Sequence, residues 1–404
     1  MALTETAPRL RSARTDPSPA ASRRDDSRLC RTRTQRILLG VAFAAIVAFP
    51  LSVGNAFLIS LTGTIGIFAL AALGLNIFSG YAGQISLAQS IFVGVGAFAG
   101  VGLGGLAELP LPVWLPGTFV AGGLAAALVA PLTLRLKGVF QIVLSLALIF
   151  VGHYAFINLP ALTGGNGGIS ATPSLSLGFI DFGDLIVAGM RYSYEQGLFI
   201  LIWLVLAASM IAVVNMHRTR FGRALVAVRE AETAAEIAGI NAARVKVLAF
   251  VLAGAFGGLA GGLLMAQLRY VQAEQFGINM GLELLIIVVV GGLGTTWGPV
   301  LGAAVISSIP VLATQYAEYI PFLQADFSQD GGIGIPVGQV GLLIYGLALV
   351  LVMVFEPRGL SHLLGAAGRS LLRRAGRPRT AREPIPVPVP HAQPKDRTHQ
   401  GDMA

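Results

Sequence analysis

The chain has 404 residues and a mass of 42.0 kDa, and 54% of its residues are hydrophobic while only 12% are charged. Soluble proteins carry about 25% charged residues, so this composition and a mean hydropathy of +0.74 indicate a membrane protein and exclude a soluble enzyme or a disulfide scaffold. The formal net charge of +8 arises mostly in the two tails beside membrane spans, which favours a topological origin over nucleic-acid binding.

The N-terminal segment, residues 1–36, contains nine Arg among Pro, Ser and Thr and has no apolar periodicity. This composition predicts a disordered basic cytoplasmic tail. Apolar runs of about 20 residues, the length that crosses the hydrocarbon core, then recur through residues 37–355 and predict a transmembrane domain. Ten spans are predicted, over residues 37–53, 57–75, 88–106, 113–134, 138–158, 196–215, 246–268, 280–293, 297–313 and 336–355.

The predicted fold is therefore all-α, a polytopic membrane helix bundle of about ten spans. Gly291, Gly292 and Gly294 interrupt the eighth and ninth runs, so these two limbs are either short spans or a re-entrant pair. With ten spans both termini share one side, which would hold 26 of the 28 Lys and Arg residues. The positive-inside rule then predicts that both termini are cytoplasmic. Residues 356–404, basic and then rich in Pro, form a second predicted cytoplasmic tail.

Nucleotide-binding and catalytic motifs are not found in the sequence. A phosphate loop requires a Gly-rich turn that ends in Lys and Ser or Thr, and none of the three lysines has that context. The five histidines are scattered, and His217 lies at a span end where contact with lipid is expected. We therefore expect a non-catalytic chain without a metal site or a cofactor.

Polar side chains interrupt one apolar stretch, GLNIFSGYAGQISLAQS, where Gly80 and Gly83 are expected to break the helix. Irregular polar backbone at membrane depth is tolerated where it is buried in protein or lines a wet cavity. The stretch is therefore either part of the solute path or a purely structural break. The candidate solute-path residues are Asn76, Gln84, Gln89 and Gln141.

Two further ionisable residues fall within predicted spans. His153 is a functional candidate by its position, and a His hydrogen-bonded to a neighbouring helix is an equally good interpretation. Glu283, near the start of the eighth predicted span, has no assigned role.

One predicted cytoplasmic loop, residues 216–245, is long where the other inner loops are short. Phe221, Leu225 and Val228 recur at helical spacing and are followed by a face of small side chains that includes Ala234 and Ala235. Gly239 suits the left-handed position that ends a helix. Such a helix favours docking into a groove of another protein, and its Ala-rich face argues against the alternative of an amphipathic helix on the membrane.

Three stretches together resemble a known family. These are GLNIFSGYAGQISLAQ, RTRFGRALVAVREAETAAEIAGIN and GGLGTTWGPVLGA. They are similar to the permease subunits of bacterial branched-chain amino-acid ABC importers. PLTLRLKGVFQIVLSLAL followed by LTGGNGGI is more similar to the LivM type than to its LivH partner. The similarity extends from about residue 74 to residue 360.

The resemblance implies a permease in the bacterial cytoplasmic (inner) membrane that works with a second permease, two cytoplasmic ATPase subunits and an extracytoplasmic solute-binding protein. It also implies that the loop couples to the ATPases. Thr233 replaces the acidic residue of the family's coupling motif, which puts a specific salt bridge to the ATPase in doubt. The implied coupling residues are Arg223, Glu232, Thr233, Ala234, Ala235 and Gly239.

The solute is left open by the sequence. Close relatives of this permease type handle urea or short amides instead of branched-chain amino acids, and the candidate path residues would serve both. A secondary carrier independent of an ATPase is a further alternative, although it would need ionisable residues near the midplane, and only His153 and Glu283 are candidates.

Overall fold

The computed structural model describes residues 55–134, 138–178, 181–184, 186–187, 190–309, 323–324, 335–336, 346 and 360. They belong to the first of two units, Met1–Leu363, and the second unit, Leu364–Ala404, lies outside the described residues. The predicted spans over residues 37–53 and 336–355 and both predicted tails also lie outside them, apart from single residues.

The described part of the chain is mostly helical. Its α-helices are α1 (Ala56–Asn76), α2 (Gln89–Gly100), α3 (Leu111–Leu134), α4 (Val139–Asn158), α5 (Pro160–Thr163), α6 (Tyr194–Arg218), α7 (Arg220–Glu230), α8 (Glu232–Ile237), α9 (Ala242–Leu268), α10 (Ile278–Gly291) and α11 (Gly298–Ile306). Two π-helical turns, Ile77–Tyr81 and Val101–Leu106, extend α1 and α2.

Six of these helices are long and apolar enough to cross a membrane, counted over the described residues. They confirm the six predicted spans between residues 57 and 268, with ends that differ by up to six residues. The crossing segments are Ala56–Tyr81, Gln89–Leu106, Leu111–Thr133, Phe140–Asn158, Tyr194–Arg218 and Ala242–Leu268.

Polar caps explain why several helices begin before the predicted spans. Ser193 and Gln196 form a capping box at the start of α6, and the side chain of Asn241 accepts a 2.9 Å hydrogen bond from the Arg244 N–H at the start of α9. Such caps satisfy backbone N–H groups that have no partner within the helix. Apolar periodicity does not detect them, because the cap and first turn are polar.

Successive spans alternate in direction and give the bundle two ends. We call the end formed by residues 216–246 the basic end, and the opposite end, formed by residues 269–277 and the described residues between 159 and 193, the acidic end. Helix α1 begins at the acidic end, where Gln267 donates to the Ser60 carbonyl, and its π-helical extension ends at the basic end, where Arg229 donates to the Gly80 carbonyl.

Helix α9 lies at the centre of the bundle and is the most buried of the six spans. It packs against α1, α2 and α3. Glycines allow the backbones to approach, because a Cβ at Gly96 or Gly122 would overlap the backbone of Gly258, and one at Gly261 would overlap that of Val93. Small residues favour such packing in a membrane. The hydrophobic effect does not drive helices together there, because lipid tails are as apolar as the side chains, and close backbone contact takes its place.

The predicted helix break lies between α1 and α2. The backbone turns through Ile77–Tyr81, passes Gly83 at a φ of 71° and resumes as a helix at Gln89. The intervening backbone forms hydrogen bonds inside the protein: the Leu87 N–H donates to the Ser145 hydroxyl of α4 at 3.1 Å. This burial in protein is what the irregular backbone requires at membrane depth.

Helices α10 and α11 form a hairpin that is closed by a short Gly-rich loop, residues 292–297. Gly291 and Gly298 lie so close that a Cβ on the first would overlap the second, and Gly292 and Gly294 have positive φ angles. The 14 residues of α10 span about 21 Å, which is less than the ~30 Å hydrocarbon core. Helix α10 is thus shorter than a full perpendicular crossing, which fits both a short span and a re-entrant limb.

The described residues also contain short strands, which the all-α prediction did not include. Strands β1 (Ile169–Ser170) and β4 (Tyr270–Val271) pair antiparallel and join the loop after α5 to the end of α9. The other two pairs join β2 (Ile186–Val187) to antiparallel β3 (Met190–Arg191), and β5 (Leu323–Gln324) to parallel β6 (Ile335–Pro336).

Candidate coupling site and solute path

The predicted coupling loop consists of two short helices, α7 and α8, which meet at the extended residue Ala231. Leu225 is 0% exposed and Val228 is 4% exposed, which confirms that the periodic apolar residues share one face. That face packs against the chain's own transmembrane core. The loop is therefore anchored to the bundle through α7, and its other surface is available at the basic end.

The small-residue face of α8 is divided between two sides. Ala235 is 5% exposed and packs inward, whereas Thr233, Ala234 and Gly239 are exposed. The largest exposed side chain at the tip is Ile237, with 85% of its surface accessible. Gly239 has a φ of 85° and adopts the predicted left-handed conformation.

Two charged residues of the loop make contacts within the chain. Glu232 forms a 2.7 Å salt bridge with Lys246 on α9 and so fastens α8 to the central helix. The guanidinium of Arg223 donates to the Arg218 carbonyl at the end of α6, at 3.2 Å. Arg223 therefore makes a local contact at an exposed position.

Arg229 extends from the loop into the bundle, and the sequence patterns did not identify it as a functional candidate. Its guanidinium donates to the Gly80 carbonyl in the helix break, and its stem lies against Gly83. A Cβ on Gly294 would come 2.8 Å from the guanidinium, so the same side chain also borders the hairpin loop. Arg229 follows Leu225 by four residues and so lies on the same side of α7, which was the available signal.

The helix break also contacts the junction of α6 and α7. The rings of Tyr81 and His217 lie 3.7 Å apart between centroids. A Cβ on Gly222 would come within 2.5 Å of the His217 Cα, so α7 passes close behind this pair. The expectation that His217 contacts lipid is wrong, because its ring is used for packing inside the protein.

Asn76 connects the helix break to the hairpin loop. Its amide donates to the Thr295 carbonyl and accepts from the Gly294 N–H, both at 2.8 Å. The side chain is 0% exposed. Both polar ends of this candidate solute-path residue are therefore used by backbone groups, and Asn76, Gly80, Arg229 and Gly294 form one connected cluster, which we call the coupling cluster.

Gln89 connects three helices. Its amide nitrogen donates to the Ala71 carbonyl of α1 at 3.1 Å and to the Ala253 carbonyl of α9 at 2.9 Å. Gln84 is half-buried in the break, and Gln141 is 5% exposed in the first turn of α4. Asn76 and Gln89 are thus built into the packing of the bundle.

A pair of matched variants separates packing from solute contact. Gln89→Leu removes two buried hydrogen bonds worth about 1–2 kcal/mol in total, so the thermal unfolding midpoint of the purified protein is expected to fall by a few degrees. Gln84→Leu, at the half-buried position, is expected to leave the midpoint unchanged. Equal midpoints for the two variants would contradict the assignment of Gln89 to packing.

The two ionisable candidates occupy different settings. The His153 Nδ1 lies 3.3 Å from the Ala273 carbonyl, in the 3-10 turn before α10. A carbonyl only accepts, so this nitrogen must carry the proton when the two are hydrogen-bonded. Glu283 is half-buried on α10. His153 thereby links α4 to the acidic end of the hairpin.

Comparison with known proteins gives a consistent result. The family model described as "Branched-chain amino acid transport system / permease component" matches residues 57–353. The permease protein LivM of the high-affinity branched-chain amino acid transport system of Salmonella typhimurium is 26% identical over 342 residues, which cover 81% of this chain and 75% of that protein. LivM of Escherichia coli is 27% identical over 345 residues, with the same coverage.

Similarity to the other permease type is more limited. LivH of Escherichia coli is 32% identical over 127 residues, which cover 30% of this chain and 41% of that protein. No solved structure matches the chain. The LivM type, predicted from PLTLRLKGVFQIVLSLAL followed by LTGGNGGI, is confirmed by the greater coverage of the LivM proteins. The chain is a multi-pass membrane protein that belongs to the family of branched-chain amino acid transport system permease components.

Proposed function

We propose that the chain is the LivM-type permease subunit of an ABC importer that carries branched-chain amino acids across the bacterial cytoplasmic (inner) membrane. It pairs with a second permease and two cytoplasmic ATPase subunits, and it receives solute from an extracytoplasmic binding protein. Similarity to LivM over 81% of the chain supports the solute class. ATP is hydrolysed by the partner subunits, and this chain provides the path.

The basic end is cytoplasmic in this proposal. It carries Arg218, Arg220, Arg223 and the other basic residues of the loop, as the positive-inside rule requires. The start of α1 at the acidic end requires one earlier crossing if the N-terminal tail is cytoplasmic, which agrees with the predicted span over residues 37–53. Ten spans with both termini in the cytoplasm remain the proposed topology.

The single observation that carries the proposal is the arrangement of α7 and α8. One face is buried against the chain's own core, while the tip around Ile237 is exposed at the basic end. An exposed isoleucine on a short anchored helix is suited to insertion into a groove of a partner. A permease that works without an ATPase would not require an exposed apolar side chain at this position.

The contacts of the loop suggest how force is transmitted. Movement of α8 reaches α9 through the Glu232–Lys246 salt bridge, and movement of α7 reaches the helix break and the hairpin loop through Arg229. These elements carry the close glycine packing of the bundle, so displacement at the tip shifts whole helices. Alternating access then follows from rigid-body motion driven by ATPase closure.

The proposal is tested by purifying the detergent-solubilised chain from its native membrane and identifying the proteins that accompany it by mass spectrometry. We expect an ATPase pair and a second permease. Recovery of the chain alone, together with leucine transport driven by an ion gradient, would favour the secondary carrier instead.

The role of Arg229 gives a quantitative prediction. Arg229→Gln loses a charge-assisted hydrogen bond from a partly exposed side chain, worth about 1 kcal/mol, so ATP-driven leucine uptake by the reconstituted complex is expected to fall roughly fivefold. Co-purification of the ATPases is expected to be normal. Arg244→Gln is the matched control, since Arg244 is an exposed arginine at the basic end outside α7 and α8, and uptake should be retained. Equal uptake by the two variants would contradict the transmission role.

A further inference from the structure

A cleft of about 80 Å³ opens at the acidic end between the start of α1, the start of α6 and the end of α9. A single water needs roughly 10–15 Å³ on this measure, so the cleft has room for several waters or for a small solute. Six of the ten residues that line it are three buried aliphatic side chains and three charged or amide side chains. These six residues are Ile59, Leu198, Ile202, Glu195, Gln267 and Arg269.

Arg269 is held at the cleft by an unusual backbone conformation. It ends α9 with a φ of 57°, a left-handed conformation that costs a non-glycine residue about 1 kcal/mol. Its N–H donates to Met265 and its carbonyl accepts from Ala171, which fixes the position. The guanidinium lies 4.4 Å from the centre of the Tyr194 ring. Non-glycine residues in this conformation cluster at ligand sites.

Glu195 supplies the opposite charge. It is exposed in the first turn of α6 and lines the same cleft as Arg269. Across the described residues, neither side chain has an oppositely charged group within 4.0 Å. Two opposite charges held apart on one cleft are complementary to a zwitterion.

Gln267 joins the end of α9 to α1 beside the cleft. Its amide nitrogen donates to the Thr64 hydroxyl at 2.8 Å and to the Ser60 carbonyl at 3.1 Å, and the carbonyl can only accept, so the orientation of the amide is determined. The amide oxygen is buried from solvent, so Gln267 shapes the cleft and does not offer that oxygen to a ligand.

The aliphatic wall defines the remaining part of the ligand. Ile59, Leu198 and Ile202 line the cleft and are each at most 5% exposed. Apolar side chains at a wall of this kind favour an aliphatic substituent over a polar one. The cleft therefore combines a cation, an anion and an apolar surface.

We propose that this cleft is an entry site for a zwitterionic aliphatic amino acid, with the carboxylate on Arg269, the ammonium on Glu195 and the side chain against the aliphatic wall. This inference rests on the proposed function for the solute class and deepens it by placing the solute. A phosphatidylethanolamine headgroup carries the same two charges, so the experiment must separate the lipid from the free amino acid.

The test is direct binding of radiolabelled leucine to the full-length chain in nanodiscs that lack phosphatidylethanolamine. We expect saturable binding by the wild type and a Kd raised at least about tenfold by Arg269→Gln and by Glu195→Gln, because each removes one charge-assisted contact. Arg269→Lys is expected to recover part of the affinity. Glu274→Gln, at an exposed carboxylate of the acidic end outside the cleft, is the matched control and should bind as the wild type does.

Competitors identify the chemistry. Valine and isoleucine are expected to displace leucine, whereas leucinamide, which lacks the carboxylate, and 4-methylpentanoate, which lacks the ammonium, are not. Absence of saturable binding, a Kd unchanged by both cleft variants, or displacement of leucine when phosphatidylethanolamine is added to the nanodiscs would each overturn the proposal.

Measuring ATPase co-purification with the same variants separates this inference from the proposed function. Weaker leucine binding by Arg269→Gln with normal ATPase co-purification supports the cleft. Leucine binding that depends on Arg269 in a chain that recruits no ATPase would also support the cleft, and it would contradict the importer assignment instead.

Discussion

Gly261→Ala is expected to abolish recovery of folded protein, or to lower the thermal unfolding midpoint by about 10 °C where some is recovered. The added Cβ would overlap the Val93 carbonyl oxygen and lie 2.7 Å from the Ala97 nitrogen. Both atoms belong to the α2 backbone, so no change of side-chain rotamer relieves the clash and α9 must separate from α2. The measurement is the monodisperse fraction on size-exclusion chromatography, followed by thermal unfolding.

Gly102→Ala provides the matched control because it makes the same chemical change on the π-helical extension of α2. No atom lies within 4 Å of the Cβ position at Gly102, and its φ is not in the left-handed region. Alanine is favoured over glycine within helices by roughly 0.5–1 kcal/mol, so this variant is expected to be as stable as the wild type or slightly more stable. Similar losses for the two variants would mean that close α2–α9 packing does not determine stability.

Ile237→Glu is expected to abolish association with the ATPase subunits while the permease itself inserts and folds normally. With 85% of its surface accessible, Ile237 contributes little to the stability of the isolated chain. In the proposed complex it enters an apolar groove, where loss of its burial costs about 1.5–3 kcal/mol and an unpaired carboxylate costs more. The affinity is therefore expected to fall by at least roughly a hundredfold, measured by co-purification from the membrane.

Two further variants make this result specific. Ile237→Leu keeps an apolar side chain of similar size at the tip and is expected to restore association. Leu162→Glu introduces the same charge at an apolar residue with 67% exposure, but at the acidic end, and should leave association unchanged. Normal association by Ile237→Glu would remove the tip of α8 from the coupling surface.

The choice of Ile237 illustrates what the tertiary structure adds to the loop. The sequence predicted one face of small residues that includes Ala234 and Ala235, but the extended conformation of Ala231 turns α8 relative to α7. As a result Ala235 faces inward and Ala234 faces outward. A charge at Ala235 would disturb the packing of the loop as well as its docking, so Ala235 cannot report on docking alone.

The coupling cluster shows a similar division. Gly80 and Gly83 were predicted to break the helix; Gly83 does so at a φ of 71°, which glycine accepts more readily than other residues, whereas Gly80 lies within the π-helical turn that extends α1. The partners of the break could not be predicted: Asn76 bonds to Thr295 and Gly294, more than 200 residues away along the chain. Pairings at such separation depend on how helices pack, which residue periodicity does not specify.

The sequence by itself determined the membrane class, six spans, the helix break and the family, because these depend on local hydropathy, on backbone freedom and on contiguous motifs. Only the tertiary structure decided the roles of the polar side chains. In an apolar bundle each amide or guanidinium must find a partner, and packing brings that partner from a distant segment. Gln89 is therefore a link between three helices, and Arg229, which no motif singled out, connects the coupling loop to the bundle.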